Sequence, residues 1–381
     1  MLRMRVAHLT TVDSSLWYLL RPQLRAAVDA GDEVSGISAP GPWVGVIEAD
    51  GVRHLPLRSS TRGWSLTADA RSAVELWRIL RRERFDVLHT HNPKPGFYGR
   101  IVGRLAGVPI VVNTNHGLYF GSGKRAQRAV VLAMEGLAAR FSDAELIQNV
   151  EDMELLVRWR LNARRRTRLL GNGVDLRRFR PGREADREGI RAELGVGPDQ
   201  IVVGMVGRMV AEKGYPELFE AAAALDDRFV VVCIGPDDPE KADAIPRAAV
   251  DAARAAGVRF LGLRDDVDRL YRGMDLFVLP SHREGFPRAA MEAGASGLPV
   301  IATDVRGCRQ VVEHDVTGLL VPVRAPDRLA KAITVLGDDP DRRRTMGRAA
   351  VERAGRHFDE RRVVETVLET YRVVASAKGL G

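Results

Sequence analysis

The sequence predicts an α/β protein made of two doubly wound parallel sheets, one after the other in the chain. Three observations predict it. At 381 residues the chain is longer than one hydrophobic core ordinarily organises, and it suits two. Short runs of Val, Ile and Leu alternate with longer amphipathic stretches, the pattern of β–α units around a buried parallel sheet. The alternation stops at a charged stretch, 182–191, that reads as a linker, and then restarts. The domains are expected over 1–181 and 182–357.

In the first half, a strand over 5–9 leads into a helix over 16–30 closed by Gly31, and a second strand covers 33–38. A turn-rich, less regular region follows, with a short run around His54-Leu55-Pro56-Leu57. A long helix over 68–84 carries an apolar stripe and an Arg-rich outer face. Val87-Leu88-His89 is the next strand, ending in the loop Asn92-Pro93-Lys94-Pro95-Gly96, and a helix runs on to Ala106. The strand over 110–113, a helix from Lys124 to about 141, a strand over 144–148 and a helix over 151–159 complete the series. The turn Gly171-Asn172-Gly173-Val174-Asp175 closes this half. The second half repeats the scheme: strands over 201–206, 229–234, 258–261, 276–279, 299–302 and 318–321, with helices between them. A helical tail from about Pro326 ends in a helix near 360–376.

Composition excludes several classes. Hydrophobic residues at 45% and charged residues at 28% suit a globular protein, not a disordered one. No apolar run reaches the length of a membrane span. The start, Met1-Leu2-Arg3-Met4-Arg5, runs into a strand without a signal-peptide core. Cys233 and Cys308 are the only cysteines, so neither a disulfide framework nor a cysteine metal site is implied, and the expected location is cytoplasmic. The net charge of +8, mostly arginine, has two readings: solvated helix faces, or a basic surface for anionic lipid or a diphosphate-bearing acceptor. No nucleic-acid recognition motif accompanies it.

The chemistry-bearing stretch is Ser281-His282-Arg283-Glu284-Gly285-Phe286-Pro287-Arg288-Ala289-Ala290-Met291-Glu292, which follows a buried strand. With a helix starting near Phe286 or Pro287, Glu284 stays in the loop, Glu292 rides on the helix, and the helix N-terminus offers backbone N–H groups, with Gly285 and Phe286 as contacts. Two carboxylates beside an anion-binding helix end suit a ligand bearing both hydroxyls and phosphate, such as a nucleotide sugar. A second stretch, Gly207-Arg208-Met209-Val210-Ala211-Glu212-Lys213-Gly214, sets two cations just past another strand end, where open parallel sheets bind ligands. Lys as a point charge and Arg as a planar fork would neutralise a diphosphate.

Gly207-Arg208-x4-Lys213-Gly214 together with Glu284-x7-Glu292 resembles the family-4 retaining glycosyltransferases of the GT-B type, and the resemblance covers essentially the whole chain. It implies two Rossmann-like domains facing across a cleft, with a C-terminal helix, about 358–381, crossing back onto the first. It also implies that Glu284 faces the donor sugar's hydroxyls, that Glu292 holds the ribose, and that Arg208 and Lys213 hold the phosphates. His116, in Asn113-Thr114-Asn115-His116-Gly117-Leu118-Tyr119-Phe120, matches the family's His-Gly step and would touch the transferred sugar. Asn172, Gly173 and Asp175 match the turn before the interdomain linker, with a hinge role. The implied reaction is a retaining transfer of a hexose-type sugar from a UDP-linked donor to an acceptor hydroxyl, without metal or other cofactor. Within the family, His89-Thr90-His91-Asn92-Pro93-Lys94 and Asn115-His116-Gly117 most resemble bacterial surface-polysaccharide and lipid-linked oligosaccharide transferases.

His89 and His91 look like a metal pair but span a strand end and its loop, so packing or loop hydrogen bonding is the expectation, with His91 and Lys94 left as candidates for the acceptor side. Asp265-Asp266-Val267-Asp268 reads as a helix cap and first turn, not a metal site. Thr303, Gly307 and Cys308 lie past a strand end, as pyrophosphate contacts through their backbone N–H groups. In place of the family's paired-glycine loop the chain has Thr10-Thr11-Val12-Asp13-Ser14-Ser15, where Ser14 or Ser15 would cap a helix, and Gln310 stands where Glu is common. The stretch from Val157-Arg158-Trp159 through Arg164-Arg165-Arg166 to Leu169 reads either as a solvated helix or as one lying on a membrane surface. The rival functions are a nucleotide-sugar epimerase or hydrolase of the same fold and a non-catalytic membrane-surface scaffold. A nicotinamide oxidoreductase would need a Gly-x-Gly-x-x-Gly turn that the chain lacks after its first strand and at 204–207.

Overall fold

The computed structural model describes residues 3–91, 93–118, 125–239 and 241–380, without the side chains of 125 and 127. Asn92, the Tyr119-Phe120 step after His116, Lys124 as a helix start, and Met1-Leu2 lie outside the described residues. The chain divides into two compact units, Met1–Gly171 with Arg361–Gly381, and Asn172–Glu360. The expected division lay at 181/182; the turn from 172 to 181 goes with the second unit, where Val174 bridges Asp359 and joins Phe179 in the core.

The first unit is a seven-stranded parallel sheet: β1 (Arg5–Val12), β2 (Glu33–Ala39), β3 (Arg53–Pro56), β4 (Val87–His91), β5 (Ile110–Asn115), β6 (Ala144–Ile147) and β7 (Thr167–Leu169). Its spatial order, β3-β2-β1-β4-β5-β6-β7, reverses between β1 and β4. Side chains alternate across a strand, so the apolar runs feed two cores at once. Ala7, Leu9, Leu88 and Val111 pack on one face, and Val6, Val87, Ile110 and Val112 on the other. The second face is covered by the last helix, Glu360–Ala377, through Val363, Val367 and Tyr371.

The second unit is a six-stranded sheet of β8 (Ile201–Val206), β9 (Phe229–Ile234), β10 (Arg259–Phe260), β11 (Leu276–Leu279), β12 (Val300–Thr303) and β13 (Gly318–Val321). All its pairings are parallel, and its order, β10-β9-β8-β11-β12-β13, reverses between β8 and β11. Val202, Val230, Val232 and Phe277 face one core; Val203, Met205, Val231 and Val278 face the other. Cys233 and Cys308 are both free and buried in these cores. No helix among the described residues is long and apolar enough to cross a membrane.

The sequence reading departs from the structure where burial is slight or local geometry decides. The stretch read as a linker holds the helix Glu184–Glu193, which buries only Ile190 and Arg191 and so shows little apolar stripe. The less regular region contains the short helix Val44–Ala49, and β7 was not expected. The helix expected over 16–30 is interrupted by a π-helical stretch, Leu16–Leu20, before Arg21–Asp29. The arginine-rich stretch is no continuous helix: Val150–Arg158 ends at Trp159, Arg160 is left-handed at φ 57°, and a 3-10 turn, Arg164–Arg166, leads into β7.

Candidate active site

The second sheet reverses its order between β8 and β11, and a crevice outside the carboxyl ends of strands at such a point is where open α/β sheets bind ligands. Gly207 and Arg208 follow β8 directly, and Lys213 ends a 3-10 turn, Ala211–Lys213. The chain then passes Gly214 at φ 82°, where an added Cβ would stand 2.1 Å from the Pro280 carbonyl oxygen, so this turn fits under β11 only as glycine. That packing brings Lys213 to the loop after β11. Its ammonium donates to Glu284 Oε1 at 2.6 Å, and the Ser281 hydroxyl donates to the same oxygen at 2.8 Å. The Glu284 side chain is 10% exposed, so the charged pair is well screened from water. Arg208 spends one N–H on Asp238 at 2.6 Å, and its side chain is 46% exposed. The Gly207 carbonyl accepts from the Tyr215 hydroxyl at 2.7 Å, which pins the turn.

The helix after β11 runs Arg288–Ala295, and Pro287 is its N-cap, one position outside the expected start. Glu292 lies on its second turn. It accepts from Arg288 Nε at 3.1 Å and from the Tyr271 hydroxyl at 3.4 Å. Burial raises its carboxyl pKa above the ordinary range, and the Arg288 guanidinium works against that rise. Phe286 packs edge-on against Phe358, and its carbonyl accepts from Asn172 Nδ2 at 3.3 Å. The last strand end in this group, β12, supplies Gly307, whose added Cβ would meet the Glu284 carbonyl oxygen at 2.4 Å. The structure thus brings Gly207, Arg208, Lys213, Glu284, Gly285 and Phe286 onto the strand ends of one sheet, with Glu292 on the helix that follows.

His116 belongs to the first unit, just beyond β5. Its Nε2 lies 3.0 Å from His91 Nδ1, and it is hydrogen-bonded to the Gln148 side chain. Burial lowers its pKa to about 4, so the ring is neutral at neutral pH. His91 is not in a loop as expected: it ends β4, fully inside the sheet, and stacks on His89 with ring centroids 4.4 Å apart. Ring nitrogens of His8, His89 and His91 lie within 4.8 Å of one another, close enough to suggest a chelate. Each of these rings instead has both nitrogens in hydrogen bonds to neighbours.

Two family models match the chain: "Glycosyl transferase 4-like domain" over residues 18–173 and "Glycosyl transferases group 1" over residues 186–353. The chain is 33% identical over 300 residues to the UDP-Gal:alpha-D-GlcNAc-diphosphoundecaprenol alpha-1,3-galactosyltransferase of Escherichia coli, covering 76% of each protein. The chain belongs to the family-4 glycosyltransferases. The D-inositol 3-phosphate glycosyltransferase of Saccharomonospora viridis is likewise 33% identical over 326 residues, 78% of this chain and 74% of its own. Among solved structures, the sucrose-phosphate synthase of Thermosynechococcus elongatus shares the GT-B fold with a TM-score of 0.84 at 24% identity, over 98% of this chain and 100% of that one. HepE of Anabaena, solved in complex with UDP, gives a TM-score of 0.81 at 21% identity, over 97% and 100%.

Several residues singled out in the sequence have other work in this glycosyltransferase. Lys94 is buried, ion-paired with Asp69 and bonded to the Gly63 carbonyl at 2.6 Å, so it supports a loop and offers no free ammonium to an acceptor. Ser15 holds the N-cap position of the π-helical stretch without a side-chain cap bond, and the Asp13 carboxylate takes the backbone N–H groups of Ser14 and Trp43, at 2.8 and 2.7 Å. Asp266 is the N-cap of the helix Val267–Tyr271, yet its side chain accepts from the Arg264 and Arg269 guanidinium groups and not from the helix backbone. The Thr303 hydroxyl is committed to the Ser281 carbonyl and the Cys308 side chain is core, so any pyrophosphate contact from these two falls to their backbone N–H groups, as expected of them. Gly171 has the positive φ, 67°, expected of the turn, whereas Gly173 is needed for space: its Cβ would stand 2.5 Å from Glu360 Cα. The glycosyltransferase also uses residues that no spacing announced. Ser281, Asp238 and Tyr271 hold Glu284, Arg208 and Glu292, and only folding makes them neighbours.

Proposed function

We propose that this glycosyltransferase moves a hexose-type sugar from a uridine diphosphate sugar to an acceptor hydroxyl, with retention of anomeric configuration and with protein cations in place of a metal. The observation that carries the proposal is the Lys213–Glu284 pair, 2.6 Å apart at the reversal of the second sheet. A leaving diphosphate gains negative charge as the glycosidic bond breaks. Lys213 and Arg208 are permanent cations able to offset it, and fixed charges in a partly dry site need no reorganisation as the reaction proceeds. Glu284 serves the sugar hydroxyls, Glu292 the ribose, and backbone N–H groups of Gly285 and Phe286 complete the donor contacts, while Gly207, whose N–H donates to the Ile234 carbonyl and whose carbonyl accepts from Tyr215, shapes the turn beside them. His116 keeps the role the family implies for it, contact with the transferred sugar.

Glu284 is bonded to Lys213 and Ser281, which suits binding better than attack on carbon, and favours departure and entry on one face over a covalent intermediate. The uridine donor is supported by the UDP-Gal named for the Escherichia coli relative and by the UDP bound to HepE. The same relative names a diphosphoundecaprenol-linked acceptor, and the Saccharomonospora relative a phosphorylated inositol; both point to an acceptor carrying phosphate, lipid-linked in the reading preferred here. Peripheral contact with the inner face of a membrane fits such an acceptor, with Trp159, 52% exposed beneath the Arg128 guanidinium, as a surface feature that suits it. The test is thermal stability with UDP, GDP, ADP and TDP, on wild type and Glu292→Ala. A ligand that binds only the folded state raises its melting temperature. A rise with UDP that Glu292→Ala abolishes is expected; a rise with a different nucleotide alone, or one that survives the substitution, overturns the donor assignment or the ribose role.

A further inference from the structure

Four histidines of the first unit and one tyrosine form a continuous hydrogen-bonded line, of which the transfer reaction as drawn above uses only His116. β1 and β4 pair with His8 opposite His89, and His91, two residues along β4, projects from the same face as His89. His116 Nε2 lies 3.0 Å from His91 Nδ1, and His91 Nε2 lies 3.2 Å from His8 Nδ1. His8 Nε2 lies 3.4 Å from the Tyr371 hydroxyl oxygen, which is 2.6 Å from His89 Nδ1. His89 Nε2 ends the line 2.7 Å from Thr114 Oγ1. At the other end, with Nε2 of His116 occupied, Nδ1 is left for Gln148. His8, His89, His91, Thr114 and Tyr371 are buried, and burial keeps all four rings neutral at neutral pH.

A neutral imidazole has one N–H and one lone pair, so a ring that donates at one nitrogen accepts at the other. A line of such rings has one proton direction throughout. A reversal between two rings would set two donors or two acceptors face to face, and a reversal at Tyr371, whose oxygen can accept twice, would leave its own buried hydroxyl proton unmatched. Two orders keep a single direction. With every ring protonated at Nδ1, Thr114 donates to His89, Tyr371 donates to His8 and accepts from His89, and His116 donates to Gln148; each proton finds an acceptor. With every ring protonated at Nε2, Thr114 accepts, and its own buried hydroxyl proton has no acceptor among the described contacts. An unmatched buried donor disfavours that order by roughly ten- to a hundredfold.

We infer that His8, His89, His91 and His116 share the Nδ1–H tautomer, and that His8, His91 and Tyr371 are positioning residues fixing His116 as a donor at Nδ1. The positioning role rests on the proposed contact of His116 with the transferred sugar; the shared tautomer does not. Toward a sugar oxygen that takes the place of Gln148 as acceptor, the neutral His116 then offers its Nδ1 hydrogen, oriented in part by Tyr371 of the C-terminal helix.

The experiment is a long-range proton–nitrogen correlation spectrum of the full chain labelled with nitrogen-15 histidine, which separates protonated from bare ring nitrogens, run beside a transferase assay. Wild type is expected to show all four rings as Nδ1–H. Tyr371→Phe keeps the buried ring and removes the hydroxyl. His89 alone is expected to move to Nε2–H, because Thr114 can accept where Tyr371 no longer can. His91→Leu takes away the donor facing His116 Nε2; His116 is then expected to show both tautomers, with kcat falling roughly tenfold, the scale of one neutral hydrogen bond, and KM little changed. His91→Gln restores a donor there and is expected to return His116 to Nδ1–H with much of the lost kcat. Opposite tautomers in any two of the four wild-type rings overturn the line. A His116 shift in His91→Leu with kcat unmoved overturns the positioning role. A wild-type protein that shows the four Nδ1–H rings yet transfers no sugar would count against the proposed function and leave the line standing.

Discussion

In the proposed reaction the Lys213 ammonium serves two partners, Glu284 and the donor diphosphate. Without donor substrate its charge is balanced by Glu284 at 2.6 Å; a bound diphosphate competes for the same hydrogens. Lysine has three N–H donors, so it can keep Glu284 while reaching a phosphate oxygen. Such a bond strengthens as the leaving group gains charge, so its main effect falls on turnover. Lys213→Ala is expected to lower kcat by about 10²–10³, the range for losing one preorganised charge-stabilising donor, with nucleotide affinity changed much less. Steady-state kinetics with a nucleotide titration separate the two. Equal losses in turnover and affinity would remove the transition-state role. Lys213, Arg208, Glu284 and Glu292 were legible in the sequence because their spacing within two short stretches carries the signal. Their partners were not: Asp238 is 30 residues from Arg208, and Tyr271 is 21 from Glu292, with no pattern linking them.

Glu284 is aimed by a neighbouring element that packs on its backbone. The helix Arg306–Val311 begins against the backbone of Glu284, and Gly307 leaves the room, its added Cβ standing 2.4 Å from that carbonyl oxygen. Gly307 has no positive φ, so the demand is for space and not for backbone freedom. A methyl group there must push the Glu284 loop away, and overpacking costs about 1–3 kcal/mol. Gly307→Ala is expected to lose activity at least tenfold with a melting temperature lower by a few degrees, roughly what that cost implies. Gly294→Ala, whose Cβ would make only an ordinary 3.5 Å contact with Ala350, serves as the control and is expected to be tolerated. Normal activity in Gly307→Ala would show that this helix does not set the loop. The strands were legible wherever Val and Ile run together, as in β8 and β9. The helix Glu184–Glu193 was not, because a helix that buries two side chains reads as a charged linker, and the break at Arg160 depends on one left-handed residue.

Two α/β halves could be read from the chain because each repeats one alternation, and the family resemblance placed the last helix back on the first unit, but the contacts of its Tyr371 could not be read. Tyr371 meets His89 across 282 positions and His8 across 363. That tie has a thermodynamic consequence. Burial holds His8 at about 3 and His116 at about 4, keeps His89 and His91 well below their ordinary value, and lowers His54 as well. In the unfolded chain these rings titrate near 6.5. Between that value and their folded pKa the unfolded chain binds more protons, so stability is intact above about pH 6.5 and is lost as pH falls toward 4. In the same unit Glu145 opposes this, since burial raises its carboxyl despite the buried Arg100 beside it, at 2.8 Å. The carboxylates held low there, Asp50, Glu83 and Asp143, lose their contribution only further down, through the ordinary carboxylate range. Four deeply desolvated imidazoles outweigh one raised carboxyl, and each net proton is worth about 1.4 kcal/mol per pH unit. Urea unfolding of the first unit, followed through its histidine ring signals at pH 7.5, 6.5 and 5.5, is expected to show a loss of roughly 1 kcal/mol over the first step and roughly three times that over the second. Stability that is flat down to pH 5.5 would mean that the rings take up protons in the folded state, and the neutral line through His8, His91 and His116 would not exist.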